Sequence, residues 1–172
     1  PLKFEFSNVP AGYDPAELNA SISPATIRIA GAADTVDGIE SVNAGFINLA
    51  RVQLGKAETL KIQLSEGLVN VDDVQEATVT FDTSGYGEPR AIRVSDIRVV
   101  NAPSGVDVKV ITESINNVTL VGEAEELAAI SPSDVIAQVD ASAQNITVKG
   151  SGQQQFSAQI IVTGTKTVFA TG

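Results

Sequence analysis

Cysteine, histidine, methionine and tryptophan are all absent from this chain of 172 residues. Without cysteine, a disulfide, a thiolate nucleophile and a thiolate metal site are excluded. A cysteine-free chain is safe in either redox environment, so this absence does not assign a compartment. Without histidine there is no Ser-His-Asp triad, no general base of the usual kind near neutral pH and none of the commonest metal ligand. Tyr13 and Tyr86 are the only tyrosines, which leaves no aromatic platform for stacking a sugar. Basic residues are scarce too: 11 Lys and Arg stand against 21 Asp and Glu, a net charge of −10. A nucleic-acid backbone requires clustered Lys and Arg, and an anionic membrane surface repels such a chain. No apolar run reaches the ~20 residues that span a bilayer, and no signal peptide is visible. With no methionine and Pro1 at its start, the chain reads as an excised piece of a longer protein. A membrane anchor belonging to that protein would lie outside it.

What is present is enough apolar material for a core: 43% of residues are hydrophobic and 19% charged. Period-two alternation dominates and predicts short, half-buried strands. Leu2, Phe4 and Phe6 alternate with Lys3 and Glu5; Leu60, Ile62 and Leu64 alternate with Lys61 and Gln63. The same pattern recurs at Ile27 and Ile29, Val79 and Phe81, Ile92 and Val94, Ile97 and Val99, Val118 and Leu120, and Ile146 and Val148, and closes with Phe156, Ala158 and Ile160. Helical spacing is confined to Ala32–Ile39 and Glu123–Ile130. Each is about two turns, too short to persist without packing on a sheet. Glu123, Glu125 and Glu126 suit the positive end of the second helix. Pro10-Ala11-Gly12 and Pro103-Ser104-Gly105 read as turns, and Ser65-Glu66-Gly67 as a hairpin connection. Thr83 to Pro89, with two glycines and a proline, reads as a linker.

The order of these signals occurs twice. Asn8-Val9-Pro10-Ala11-Gly12 is matched by Asn101-Ala102-Pro103-Ser104-Gly105. Ile27-Arg28-Ile29-Ala30-Gly31 is matched by Val118-Thr119-Leu120-Val121-Gly122. Each Gly precedes a short amphipathic segment, and then Phe46-Ile47-Asn48-Leu49 answers to Gln138-Val139-Asp140-Ala141. The expected organisation is therefore mostly β: two tandem β-rich repeats, each with one short helix, over 1–82 and 90–172, joined by a linker at 83–89. Phe4 and Phe6 align with Ile97 and Val99, which leaves Ile92 and Val94 without a counterpart and implies that the first strand of repeat one is truncated. The halves differ in charge: 12 acidic and 5 basic residues in 1–82, against 9 and 6 in 83–172. Duplicated scaffolds with unlike surfaces suggest stacked modules rather than one active site.

These marks resemble the YbbR domain family, whose units usually occur in tandem. The resemblance rests on Asn8-Val9-Pro10-Ala11-Gly12, Ser23-Pro24, Ile27 to Gly31 and Ile47-Asn48-Leu49, and on their counterparts from Asn101 to Ala141. Ser114-Ile115 stands in place of Ser23-Pro24, Asn48 stands where the family often has Asp, and Gly164 to Gly172 is shorter than Leu64 to Asp82. The resemblance implies a non-enzymatic, extracytoplasmic module of a Gram-positive bacterial protein, tethered to the cell membrane by an N-terminal helix that these residues do not include. Relatives of the CdaR type associate with a membrane diadenylate cyclase and modulate cyclic di-AMP synthesis, so the expected partner is a membrane protein such as that cyclase. No family catalytic residue is available to carry over. A structural spacer or surface adhesin built from β modules is the alternative.

Individual side-chain groups are consistent with that absence of chemistry. Asp34, Asp37 and Glu40, beside Gly38, form the best candidate for Ca²⁺, which takes 6 to 8 oxygens, but their spacing does not match a calcium loop, and a solvated acidic face is the expected reading. Asp72 and Asp73 are adjacent, so on a strand their carboxylates would point to opposite faces; a turn is expected instead. Gly55-Lys56 lacks the remainder of a phosphate loop. Gly150-Ser151-Gly152 with Gln153, Gln154 and Gln155 reads as a polar loop. Arg90, Arg93 and Arg98 form one basic stripe, suited to an acidic partner or a neighbouring repeat, or simply a polar strand face. Asn19-Ala20-Ser21, Asn117-Val118-Thr119 and Asn145-Ile146-Thr147 fit the glycosylation pattern, expected to be idle in a bacterial protein. No catalytic, cofactor-binding or metal-binding residue is assigned, and no cofactor or nucleic acid is expected.

Overall fold

Alternating sequence becomes alternating burial in the computed structural model, which describes residues 1–142 and 152–171. Strand β1 (Leu2–Ser7) buries Leu2 and half-buries Phe4 and Phe6 while Lys3 and Glu5 face solvent. Its two rings meet edge to face at 5.4 Å. The later strands of the first half are β2 (Ala20–Ser23), β3 (Ile29–Ala30), β4 (Val42–Asn48), β5 (Glu58–Lys61), β6 (Val69–Asn70) and β7 (Glu76–Phe81). Helix α1 is a single turn, Ala33–Val36. The second half carries β8 (Arg90–Val94), β9 (Asp96–Val100), β10 (Ile115–Val121), helix α2 (Ala124–Ala129), β11 (Val135–Asp140), β12 (Gln159–Val162) and β13 (Phe169–Thr171). The protein is mostly β, and Ile146 and Val148 lie outside the described residues.

Two compact units result. One comprises Pro1–Val9 and Pro15–Ser84; the other comprises Pro10–Asp14 and Gly85–Gly172. In the first, β1 pairs with β4 in parallel, β7 lies between β2 and β5, and β3 pairs with β6. A parallel pair cannot be closed by a tight turn, and the connection from β1 to β4 carries β2, β3 and α1. In the second unit, β9 and β11 are parallel, β10 and α2 lie between them in the chain, and β12 adds to β11 antiparallel. A second sheet there runs β13-β10-β8.

Each unit has its own core. Leu2, Ala44 and Ala77 are the buried centre of a cluster in the first, with Ile22, Ile27, Val42, Leu60 and Ile62 packed around them. Ile92, Val94, Val118, Leu120, Leu127, Val135 and Ala137 are among the buried residues of the second. Burial of each Val, Leu or Ile side chain among these stabilises a fold by about 1.5–3 kcal/mol.

The paired sequence motifs adopt matching backbone. Asn8 and Asn101 both take positive φ, 50° and 54°, and Gly12 and Gly105 take 83° and 81°. Asn is one of the few side chains that enters the left-handed region readily, and Gly does so without a Cβ clash. The Asn48 carboxamide accepts from the Ala50 N–H, as the Asp140 carboxylate does from the Ser142 N–H, so the Asn-for-Asp exchange preserves the turn.

One expectation is corrected. Ser65-Glu66-Gly67 is a turn but not a hairpin: β5 on one side pairs with β7, and β6 on the other pairs with β3. Of the 83–89 stretch, Gly85 and Gly87 are bonded into the second unit: the Gly87 N–H donates to the Gly122 carbonyl, and the Ala124 N–H to the Gly85 carbonyl.

Candidate functional site

The ribbon β3–β6 presents an aliphatic face to solvent. Ala30 lies across from Val69, and the Val71 N–H donates to the Arg28 carbonyl, so Ala30, Arg28, Val69 and Val71 share one side of the pleat. Val69 is 63% and Val71 49% exposed. Arg28 and Asp72 rim this face as an ion pair at 2.6 Å. The Arg28 side-chain hydrogen bond, helped by its backbone N–H, holds the Asp72 carboxyl below the usual aspartate range. Phe46, on β4, is likewise 61% exposed and lies across from Glu5.

A shallow groove of about 520 Å³ opens in the second unit between Gly87–Ala91 and α2, where Ala124, Leu127 and Ala128 line it. Glu88 and Arg90 stand among its otherwise small or apolar lining residues. The Arg90 guanidinium is turned to the end of α2, donating to the Leu127 and Ile130 carbonyls at 3.4 and 3.0 Å. Arg98 pairs instead with Asp96 at 2.6 Å. Arg90 and Arg93 stand on β8 and Arg98 on β9, in different sheets, so the expected single stripe is not formed.

The strongest local electrostatic feature is Glu126 of α2. Its carboxylate accepts from the Thr165 hydroxyl, the Thr167 hydroxyl at 2.8 Å, and the Thr167 and Lys166 N–H groups at 2.9 and 3.1 Å. These hydrogen bonds, the Thr165 hydroxyl first, lower its pKa to about 2. The group is a latch between α2 and the segment leading into β13, and every proton it meets is held by a hydroxyl or an amide.

The remaining sequence candidates do not converge. Asp34, Asp37 and Glu40 are all exposed around α1. Among the described residues, no three acidic side chains come together as a cation-holding group. Asp72 and Asp73 occupy a turn, where Asp73 accepts from the Gln75 carboxamide at 2.9 Å. Lys56 lies in a turn closed by its own N–H on the Gln53 carbonyl. Gln153, Gln154 and Gln155 are exposed, whereas Gly150 and Ser151 lie outside the described residues. Asn19 is exposed, Asn117 sits at a bulge of β10 with φ 59°, and Asn145 lies outside the described residues. The aliphatic ribbon face carries no signal in the sequence, because Val69 and Val71 flank Asn70 in a stretch too short to display a period. Among the described residues, no helix is long and apolar enough to cross a membrane.

A family model described as YbbR-like protein matches residues 1–83. No curated protein and no solved structure matches the chain.

Proposed function

Taking as premise that residues 1–83 belong to the YbbR-like family, we propose that this chain is a non-enzymatic module that works by protein contact outside the cytoplasm. In this reading the parent protein is held at the cell membrane by a helix upstream of these residues. Its partner is a membrane protein, a diadenylate cyclase, whose output it modulates. The observation that carries the reading is the exposed face of β3–β6, where Val69 and Val71 stand in solvent within the matched domain. Solvated valines on a two-stranded ribbon add nothing to the core and favour contact with another protein surface.

The test uses whole cells of the source organism and the full-length protein. Externally added protease is expected to cleave these domains without lysis, and deletion of the gene to shift the cellular cyclic di-AMP level. Restoring the gene with Val69→Lys and Val71→Lys together is expected to leave that level shifted, at unchanged protein abundance. Protease resistance in intact cells would remove the extracytoplasmic reading. An unchanged cyclic di-AMP level with accessible domains would leave a spacer or adhesin in its place.

A further inference from the structure

The second unit, taken by itself, contains a ribbon built like β3–β6 of the first. A Cβ placed on Gly31 would meet the Gly67 carbonyl oxygen at 2.9 Å, and one on Gly122 the Thr167 carbonyl oxygen at 3.0 Å. From these close approaches the strands run in one register. Ala30 lies across from Val69 as Val121 does from Phe169, and Ile29 across from Asn70 as Leu120 does from Ala170. One step further, the Val71 N–H donates to the Arg28 carbonyl where Thr119 lies across from Thr171. Leu120 and Ala170 belong to the core of their unit, so Val121 and Phe169 point to the other side of the pleat.

In the second unit that side is covered. Phe169 is 1% exposed, and the Tyr13 ring lies on it with centroids 4.6 Å apart and planes tilted by 41°. Tyr13 belongs to Pro10–Asp14, which is part of the same unit. A tight turn presents the ring: the Tyr13 N–H donates to the Pro10 carbonyl at 3.1 Å, and Gly12 takes φ 83°. In the first unit the matching side is open, with Val69 63% exposed. Ala30 and Val69 are smaller than Val121 and Phe169, so an occupant must supply most of the contact area. An aromatic ring does so with few torsions to immobilise.

We propose that the partner residue seated on the β3–β6 face is an aromatic side chain presented by a Pro-x-Gly turn, as Tyr13 is on Phe169. This chemistry rests on the reading of that face as a protein contact, and it holds whether or not the partner is a cyclase. A second copy of this chain is a poor occupant. Its Tyr13 is already seated on Phe169. Its like turn, Pro103-Ser104-Gly105, is closed by the Val106 N–H on the Pro103 carbonyl at 3.1 Å and so presents valine where a ring is required.

The test has two arms. In the first, methyl NMR spectra of the whole chain are recorded with a cyclised peptide copying residues 8–14. Saturable upfield shifts of the Val69 and Val71 methyls are expected, as a ring stacked over them produces. The Tyr13→Ala peptide is expected to shift nothing, and Val69→Lys in the chain to weaken binding about tenfold. No saturable shift, equal shifts with the alanine peptide, or shifts confined to the surroundings of Phe169 would each overturn the proposal. In the second arm, benzoylphenylalanine replaces Val71 of the full-length protein in cells of the source organism, and light-driven crosslinks are mapped by mass spectrometry. A crosslinked partner segment carrying an aromatic residue on a Pro-x-Gly turn is expected; found in a protein other than a cyclase, it supports the proposal while removing the cyclase. A partner segment without such a turn overturns the proposal and keeps the face as a protein contact. A crosslink within the parent protein or to a second copy overturns it in favour of a face that the protein covers itself. Should the replacement lower protein abundance, the methyl shifts of the unaltered chain decide.

Discussion

At the scale of single residues, Glu126 couples a helix to a loop 40 residues away in sequence. Its folded pKa of about 2 lies below the ordinary 4.5, so the carboxylate stabilises the fold above the unfolded value. That stability declines as pH falls from 4.5 toward 2 and is gone below the folded pKa. Glu126→Gln is expected to cost about 1.5–3 kcal/mol at neutral pH, the range for hydrogen bonds to a charged group. Urea titrations at neutral pH and near the folded pKa should show the difference shrinking in acid. An equal difference at both pH values would mean that the charge is not what the threonines hold. From the sequence, Glu126 was legible only as an acid favourable to a helix N-terminus. Its partners Thr165 to Thr167 carry no local pattern that announces them. By contrast, the turns at Pro10-Ala11-Gly12 and Pro103-Ser104-Gly105 were legible, because Pro fixes φ and Gly enters the left-handed region freely, whereas the positive φ of Asn8 and Asn101 beside them was not expected.

At the scale of elements, the helices are shorter than their spacing predicts. Ala32–Ile39 contracts to one turn and Glu123–Ile130 to Ala124–Ala129. Neither helix has a side-chain cap hydrogen bond, and so few residues repay nucleation only by packing. The close approach at Gly122 is what lets α2 begin beside Val168. Gly122→Ala is expected to destabilise the protein by about 1–3 kcal/mol, because the new Cβ meets the Val168 Cα and the Thr167 carbonyl oxygen, which cannot turn aside, as well as a Val168 methyl. The midpoint of urea unfolding measures this, and an unchanged midpoint would show that β10 and β13 can move apart freely. Strand existence was largely legible in the alternation; strand partners were not. Alternation states which side chains face inward, but nothing in Leu2–Ser7 says that its neighbour is Val42–Asn48, or that the pair is parallel. The false hairpin at Ser65–Gly67 has the same origin: the turn chemistry is local, and the divergence of β5 and β6 is not.

At the scale of the whole molecule, charge governs what the protein meets. With a net charge of −10 and the Arg28, Arg90 and Arg98 guanidinium groups engaged by Asp72, by the α2 carbonyls and by Asp96, the chain offers little for a polyanion. Neither duplex DNA nor vesicles rich in anionic lipid should retain it at low salt, where such attraction is strongest. A mobility shift or vesicle co-sedimentation at low ionic strength checks this, and retention would expose a cationic surface that the fold does not show. The exposed pairs themselves add little stability, since surface ion pairs contribute about 0–1 kcal/mol.

Composition alone excluded thiol and imidazole chemistry, and periodicity alone established a β protein with two short helical segments. The recurring Asn-x-Pro-x-Gly and Gly-before-helix marks located the chain's turns, because turn geometry depends on a few adjacent residues. Tertiary structure decided the parallel pairing of β1 with β4 and of β9 with β11, the grip of Thr165–Thr167 on Glu126, and the scattering of Arg90, Arg93 and Arg98. Each of these depends on residues far apart in the chain meeting in space, and a sequence pattern reports only what neighbours in the chain require of one another.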